Sequence, residues 1–208
     1  MGNEVPKLPP LIEWGVAARP LQGEAASGDL HVVQALSNGV LVAAVDGLGH
    51  GPEAAAAARS AVLTLEGYAH EPVISLIKRC HESLTRTRGV VMSLASFNAL
   101  DNTMTWLGVG NVEGALLRAD DTASPARESI LLRGGVVGYQ LPALHASILL
   151  VTRGDVLILA TDGIRGGFAE NVTLSDPPQQ IAEQILARRA SGTDDALVLV
   201  ARYLGHEP

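Results

Sequence analysis

Four aspartates stand where apolar runs begin or end. Asp29 closes Ser27-Gly28-Asp29 just before Leu30–Leu36, and Asp46 ends the run Val40–Val45 and opens Gly47-Leu48-Gly49-His50-Gly51. Asp162 follows Val156–Ala160 and precedes Gly163, while Asp194, with a fifth aspartate Asp195 next to it, leads into Ala196–Tyr203. A carboxylate at the mouth of an apolar strand borders low-dielectric core, where ionisation is costly unless a positive charge compensates. A divalent cation supplies that charge. Hard cations such as Mg²⁺ or Mn²⁺ choose oxygen ligands and keep several waters. Glycines beside Asp46 and Asp162 would let the backbone approach such ions and free a carbonyl to coordinate. The same placement also suits aspartates that serve as ordinary turn residues at strand ends, so spacing alone leaves both readings open.

The surrounding pattern predicts the elements that must carry these residues. Strands are expected at Ile12–Ala18, Leu30–Leu36 and Val40–Val45, the last two joined through Ser37-Asn38-Gly39. An Asn-Gly pair between apolar runs signals a hairpin, because both residues tolerate positive φ. Pro52 suits a first helical position, where its missing N–H costs nothing. The alanines Ala54–Ala58 favour helix and allow close packing on a sheet. A second helix is expected over Pro72–Thr87. Strands then follow at Val90–Ala99, Thr103–Val109, Gly114–Arg118, Glu128–Arg133, Ala146–Thr152 and Val156–Ala160, with a helix at Pro178–Arg189 and a last strand at Ala196–Tyr203. Helices segregated from consecutive strands indicate an α+β chain with two antiparallel sheets face to face and helices outside.

Composition narrows the function classes. The 208 residues suffice for one full-sized domain over the whole of 1–208, with Met1–Pro10 expected as a loose start. The net charge is −7 and no run of Lys and Arg occurs, which sets aside nucleic-acid and anionic-membrane binding. The apolar runs are too short to span a bilayer and the N-terminus lacks a signal-peptide core, so a cytoplasmic protein is expected. A single cysteine, Cys80, excludes a disulfide framework and a thiolate metal cage, and it is expected as a buried core residue. Aromatics make up only 3%, and Trp14, Trp106 and Tyr139 are each expected in the core.

Four elements in order, Ser27-Gly28-Asp29, Asp46-Gly47-Leu48-Gly49-His50-Gly51, Ala160-Thr161-Asp162-Gly163 and Gly192-Thr193-Asp194-Asp195, resemble the metal-dependent protein phosphatase family (PPM, or type-2C). More narrowly they are similar to its small bacterial SpoIIE-like branch. Gly108–Gly114 resembles that branch's stressosome feedback phosphatases, Gly134–Gly138 resembles the branch's short glycine loop, and the likeness spans Ile12–Tyr203.

The resemblance implies a PP2C-like αββα sandwich and a serine/threonine protein phosphatase that uses two divalent cations, Mn²⁺ or Mg²⁺. It implies that Asp46 bridges both ions, that the Gly47 carbonyl serves the second, and that Asp162 and Asp194 hold the first. Asp29 matches an acidic position that binds directly or through water, Asp195 would orient ligands from behind, and His50 would shape the loop. Such a pair of ions activates water for in-line attack on phosphorus, without a covalent phospho-enzyme. The implied substrates are phosphorylated STAS-domain proteins of the stressosome. Alternatives are a phosphatase of an anti-sigma-factor antagonist, and a phosphatase fold retained only for binding. One departure stands out. Larger members carry a phosphate-holding Arg shortly before the first Asp, where this chain has Glu24, Ala25 and Ala26, with Arg19 further upstream.

Overall fold

A computed structural model describes residues 10–24, 26–120 and 122–205. The expected loose start therefore lies almost wholly outside the described residues. The elements run β1 (Ile12–Arg19), β2 (Asp29–Leu36), β3 (Gly39–Gly47), α1 (Pro52–Gly67), α2 (Val73–Ser83), β4 (Val90–Asn98), β5 (Thr103–Val109), β6 (Glu113–Leu117), β7 (Arg127–Ser129), β8 (Ser147–Leu150), β9 (Val156–Ala160), α3 (Pro178–Arg189) and β10 (Ala196–Tyr203). They form two antiparallel sheets, ordered β1-β10-β9-β6-β7 and β2-β3-β4-β5-β8. The architecture is the αββα sandwich of PP2C-like proteins.

Strand periodicity builds the layers directly. Along β3, Val40, Val42 and Ala44 face the other sheet, where they meet Leu157, Leu159 and Leu199. The alternate residues Leu41, Ala43 and Val45 face α1 and α2. β10 behaves likewise, with Leu197 and Leu199 turned to the central core and Val198 and Val200 turned to α3. Central strands buried on both faces explain the near-continuous apolar runs. Each fully buried Val or Leu contributes about 1.5–3 kcal/mol.

Helix α1 lies flat on its sheet because its contact stripe is alanine. Ala54, Ala57, Ala58 and Ala61 are fully buried. Pro52 opens the helix after Gly51, whose φ is 80°. Helix α2 is shorter than the expected Pro72–Thr87. It ends at Ser83 because the Leu84 carbonyl is captured by the Thr87 amide (2.9 Å) and hydroxyl (2.8 Å), which turns the chain.

Three further expectations are corrected. The β2–β3 hairpin has a two-residue turn, Ser37-Asn38, and neither residue has positive φ. Gly39 already belongs to β3, where its missing side chain matters for another reason: a Cβ there would stand 2.2 Å from the Phe97 oxygen on β4. The strand expected at Glu128–Arg133 pairs only over Arg127–Ser129. Of the three aromatics expected in the core, Trp106 is buried and donates to Ser93 Oγ at 3.0 Å. Trp14 is 44% exposed and Tyr139 82% exposed. Cys80 is buried as expected, and burial pushes its thiol up to about 12. No described helix is long and apolar enough to cross a membrane.

Candidate metal centre

The sandwich brings the strand-end aspartates to one edge. Asp29 begins β2 and pairs in register with Asp46 near the end of β3. Asp162 follows β9, and Asp194 and Asp195 precede β10, the neighbour of β9 in the other sheet. Two of the carboxylates therefore come from one sheet and three from the ends of the other. Two close backbone approaches fix this edge. A Cβ on Gly47 would lie 2.2 Å from the Ala54 oxygen of α1, and one on Gly163 would lie 1.8 Å from the Asp195 oxygen. Chain packing at this edge thus requires glycine at both positions.

Asp46, Asp162 and Asp194 line a cavity of about 440 Å³. Its remaining wall includes Leu48 and Gly49, Gly110 and Asn111, and the loop Gly134–Val136. Asp29 and Gly47 are outside that lining. Asp29 is buried behind it and accepts the Thr161 hydroxyl at 2.7 Å. Asp195 is buried too and binds chain, accepting the amides of Leu21 and Gly28, each at 2.7 Å. It holds the segment that leads into β2. His50 is exposed and pairs through Nδ1 with Glu24 Oε1 at 2.7 Å, which ties its loop to the stretch before β2. Arg19 lines a second cavity, about 470 Å³, whose wall also includes Asp194.

Two contributors were not assigned a role from sequence. Asn111 donates from Nδ2 to Asp162 Oδ2 at 2.8 Å, and Thr161 bridges the sheets. Both sit inside motifs visible in the chain, yet their partners lie far away in sequence and only the fold reveals them.

Electrostatics marks Asp46 as the centre. Its carboxyl is pushed up to about 9, chiefly by burial and then by Asp29, Asp162, Asp194 and Asp195. No side chain or amide among the described residues donates a hydrogen bond to it. Asp29 is pushed up to about 7 by burial, against the lowering effect of Thr161 and with further upward push from Asp195, Asp162 and Asp194. Asp162 is raised by burial and by Asp194, while Asn111 opposes.

Do these residues fit metal ions? Among the described residues no group of three or more His, Cys, Asp or Glu is set to hold an ion by side chains alone. The charge pattern still asks for cations, because mutually repelling, desolvated carboxylates share a cavity whose lining contains no Lys or Arg. Both observations suit hard ions that keep much of their water and take only one or two carboxylates each.

A PP2C-like fold with an acidic cavity at the sheet ends defines a phosphatase class. The chain belongs to the family described as stage II sporulation protein E (SpoIIE), which matches residues 37–204. It is 28% identical over 145 residues to the phosphoserine phosphatase RsbX of Bacillus subtilis (strain 168), covering 69% of this chain and 70% of that protein. A solved chain from work on the bacterial stressosome, a modular system adapted to control secondary messenger signalling, matches with a TM-score of 0.83 and 29% identity. That match covers 92% of this chain and 99% of the other. RsbX in complex with magnesium matches in fold, with a TM-score of 0.80, 23% identity and coverage of 92% and 95%.

Proposed function

We propose that this chain is a cytoplasmic, metal-dependent serine/threonine protein phosphatase that acts on phosphorylated STAS-domain proteins of a stressosome and so resets a stress signal. The observation that carries the catalytic part is Asp46, a desolvated carboxylate without a hydrogen-bond donor in a cavity shared with Asp162 and Asp194. The likeness to a phosphoserine phosphatase and to a chain from stressosome work supports the substrate class.

In this reading Asp46, the Gly47 carbonyl, Asp162 and Asp194 would hold two cations, Mn²⁺ or Mg²⁺. When bound, such ions supply an acidified water and neutralise charge on the phosphoryl oxygens. The chain's own residues hold and orient. Asn111 fixes one oxygen of Asp162 and so orients its carboxylate. Thr161 holds Asp29 in place, which leaves Asp29 to act through water. Asp195 keeps the segment before β2 against the site, and His50 steadies its loop through Glu24.

The test incubates the protein with a phosphorylated STAS-domain protein, with and without Mn²⁺. Phosphate release only with the ion is expected. Hydrolysis of small aryl phosphates with none on the STAS protein would reject the substrate, and a lack of any ion-dependent turnover would leave a binding module.

A further inference from the structure

One wall of the acidic cavity is the glycine loop Gly134–Val136. The chain on either side of it leaves an uncommon set of side chains outside. Before the loop, Ile130 and Leu132 turn inward, their tips 3.4 and 3.2 Å from where a Cβ on Gly108 would stand. Alternation of an extended chain puts Leu131 and Arg133 on the other side, and Leu131 is 72% exposed. After the loop, Val136 and Gln140 exchange hydrogen bonds at 2.8 and 2.9 Å, closing a tight turn that carries Tyr139.

That turn is firmly mounted. The Gly138 amide donates to His81 Nδ1 on α2 at 3.0 Å, and Val137 exchanges two 2.9 Å hydrogen bonds with Val90. An exposed tyrosine on a fixed turn loses little freedom when a partner covers it. Tyrosine and arginine are also the side chains that most often dominate protein interfaces.

Charge indicates what the partner is. The cavity lining holds three aspartates and no Lys or Arg, on a chain of net charge −7. An anionic phosphorylated protein needs a cation at the rim. Arg133 is half-buried beside the cavity, its carbonyl accepting the amide of cavity-lining Gly110 at 2.9 Å. Its guanidinium has no ion-pair partner among the described residues.

We propose that Leu131, Arg133 and Tyr139 form a docking edge for the phosphoprotein substrate, gripping the protein surface that flanks its phosphoserine. This rests on the phosphatase reading above and adds how the site distinguishes a protein from a small phosphate ester.

The test compares Leu131→Ala, Arg133→Ala and Tyr139→Ala with the parent in Mn²⁺, on a phosphorylated STAS-domain protein and on a small aryl phosphate. For Arg133→Ala and Tyr139→Ala, KM on the phosphoprotein should rise about 10-fold. Their kcat should move by less than about 2-fold, with aryl phosphate kinetics unchanged. Unchanged KM on the phosphoprotein in all three variants would overturn the docking edge alone. Equal losses on both substrates would also overturn it, since they would mark a structural role. A parent that hydrolyses only the aryl phosphate overturns the substrate class and the edge together. No turnover of either substrate overturns the phosphatase reading and the edge with it.

Discussion

Thr161 donates its hydroxyl hydrogen to Asp29 Oδ2 at 2.7 Å. The Thr161 hydroxyl oxygen in turn accepts the Leu197 amide at 2.9 Å. A single side chain on one sheet thereby holds the acidic entry to the other, and both partners are buried. Replacing Thr161 with Val keeps the shape and removes both bonds. We expect a loss of about 1–3 kcal/mol, because a buried carboxyl and a buried amide are left unpaired. Thr161→Ser should retain most of the stability. Urea unfolding of the two variants checks this.

Asp46→Asn should lower Mn²⁺-dependent turnover by on the order of 10²–10³-fold. The metal-free protein should at the same time become more stable, because a desolvated carboxylate facing four other aspartates is gone. Activity with added Mn²⁺ and thermal melting in EDTA separate the two effects. Near-normal turnover would sink the assignment of Asp46.

The stability of the metal-free protein should fall as pH rises. Asp46 and Asp29 are raised from an ordinary value of 3.8 to about 9 and about 7. Above about pH 4 the folded chain thus holds protons that the unfolded chain has released, and stability declines with pH until each folded-state value is passed. Bound cations need the deprotonated carboxylates, so Mg²⁺ should bind more tightly as pH rises and oppose the decline. Melting temperatures from pH 5 to 9, in EDTA and in Mg²⁺, should diverge steadily. Parallel curves would rule out the coupling.

Asn111→Ala should weaken metal affinity by about 10–100-fold, since Asp162 loses the donor that fixes its oxygen. Turnover at saturating Mn²⁺ should recover most of its value. Titration of activity against Mn²⁺ distinguishes this from a direct catalytic loss, which added metal would not restore.

Much of this fold was legible because its signals are local. Pro52 and the alanine run set the start of α1, and the apolar run Ala196–Tyr203 has the bounds observed for β10. The aspartates could be read too, because a charge at the end of an apolar strand is visible in one dimension. What escaped depends on contacts between distant segments. Asn111 and Thr161 gain their roles from partners 51 and 132 residues away. Glu128–Arg133 has the composition of a strand, yet Ile130 and Leu132 spend their apolar surface over Gly108 and pairing stops at Ser129. Tyr139 was expected inside because it is large and aromatic, while the tight turn closed by Val136 and Gln140 carries it out to solvent.

The hairpin register that sets Asp29 opposite Asp46 has a consequence for mutational tolerance. Eight successive residue pairs run from those aspartates to the turn at Ser37-Asn38. A strand shifted by one position turns every side chain to the opposite face. Adding or deleting one residue at that distant turn would therefore rotate one acid away from the other without altering either. The far end of this hairpin behaves as an indexing stop for the cavity, and the chain there should accept changes of residue type far more readily than changes of length.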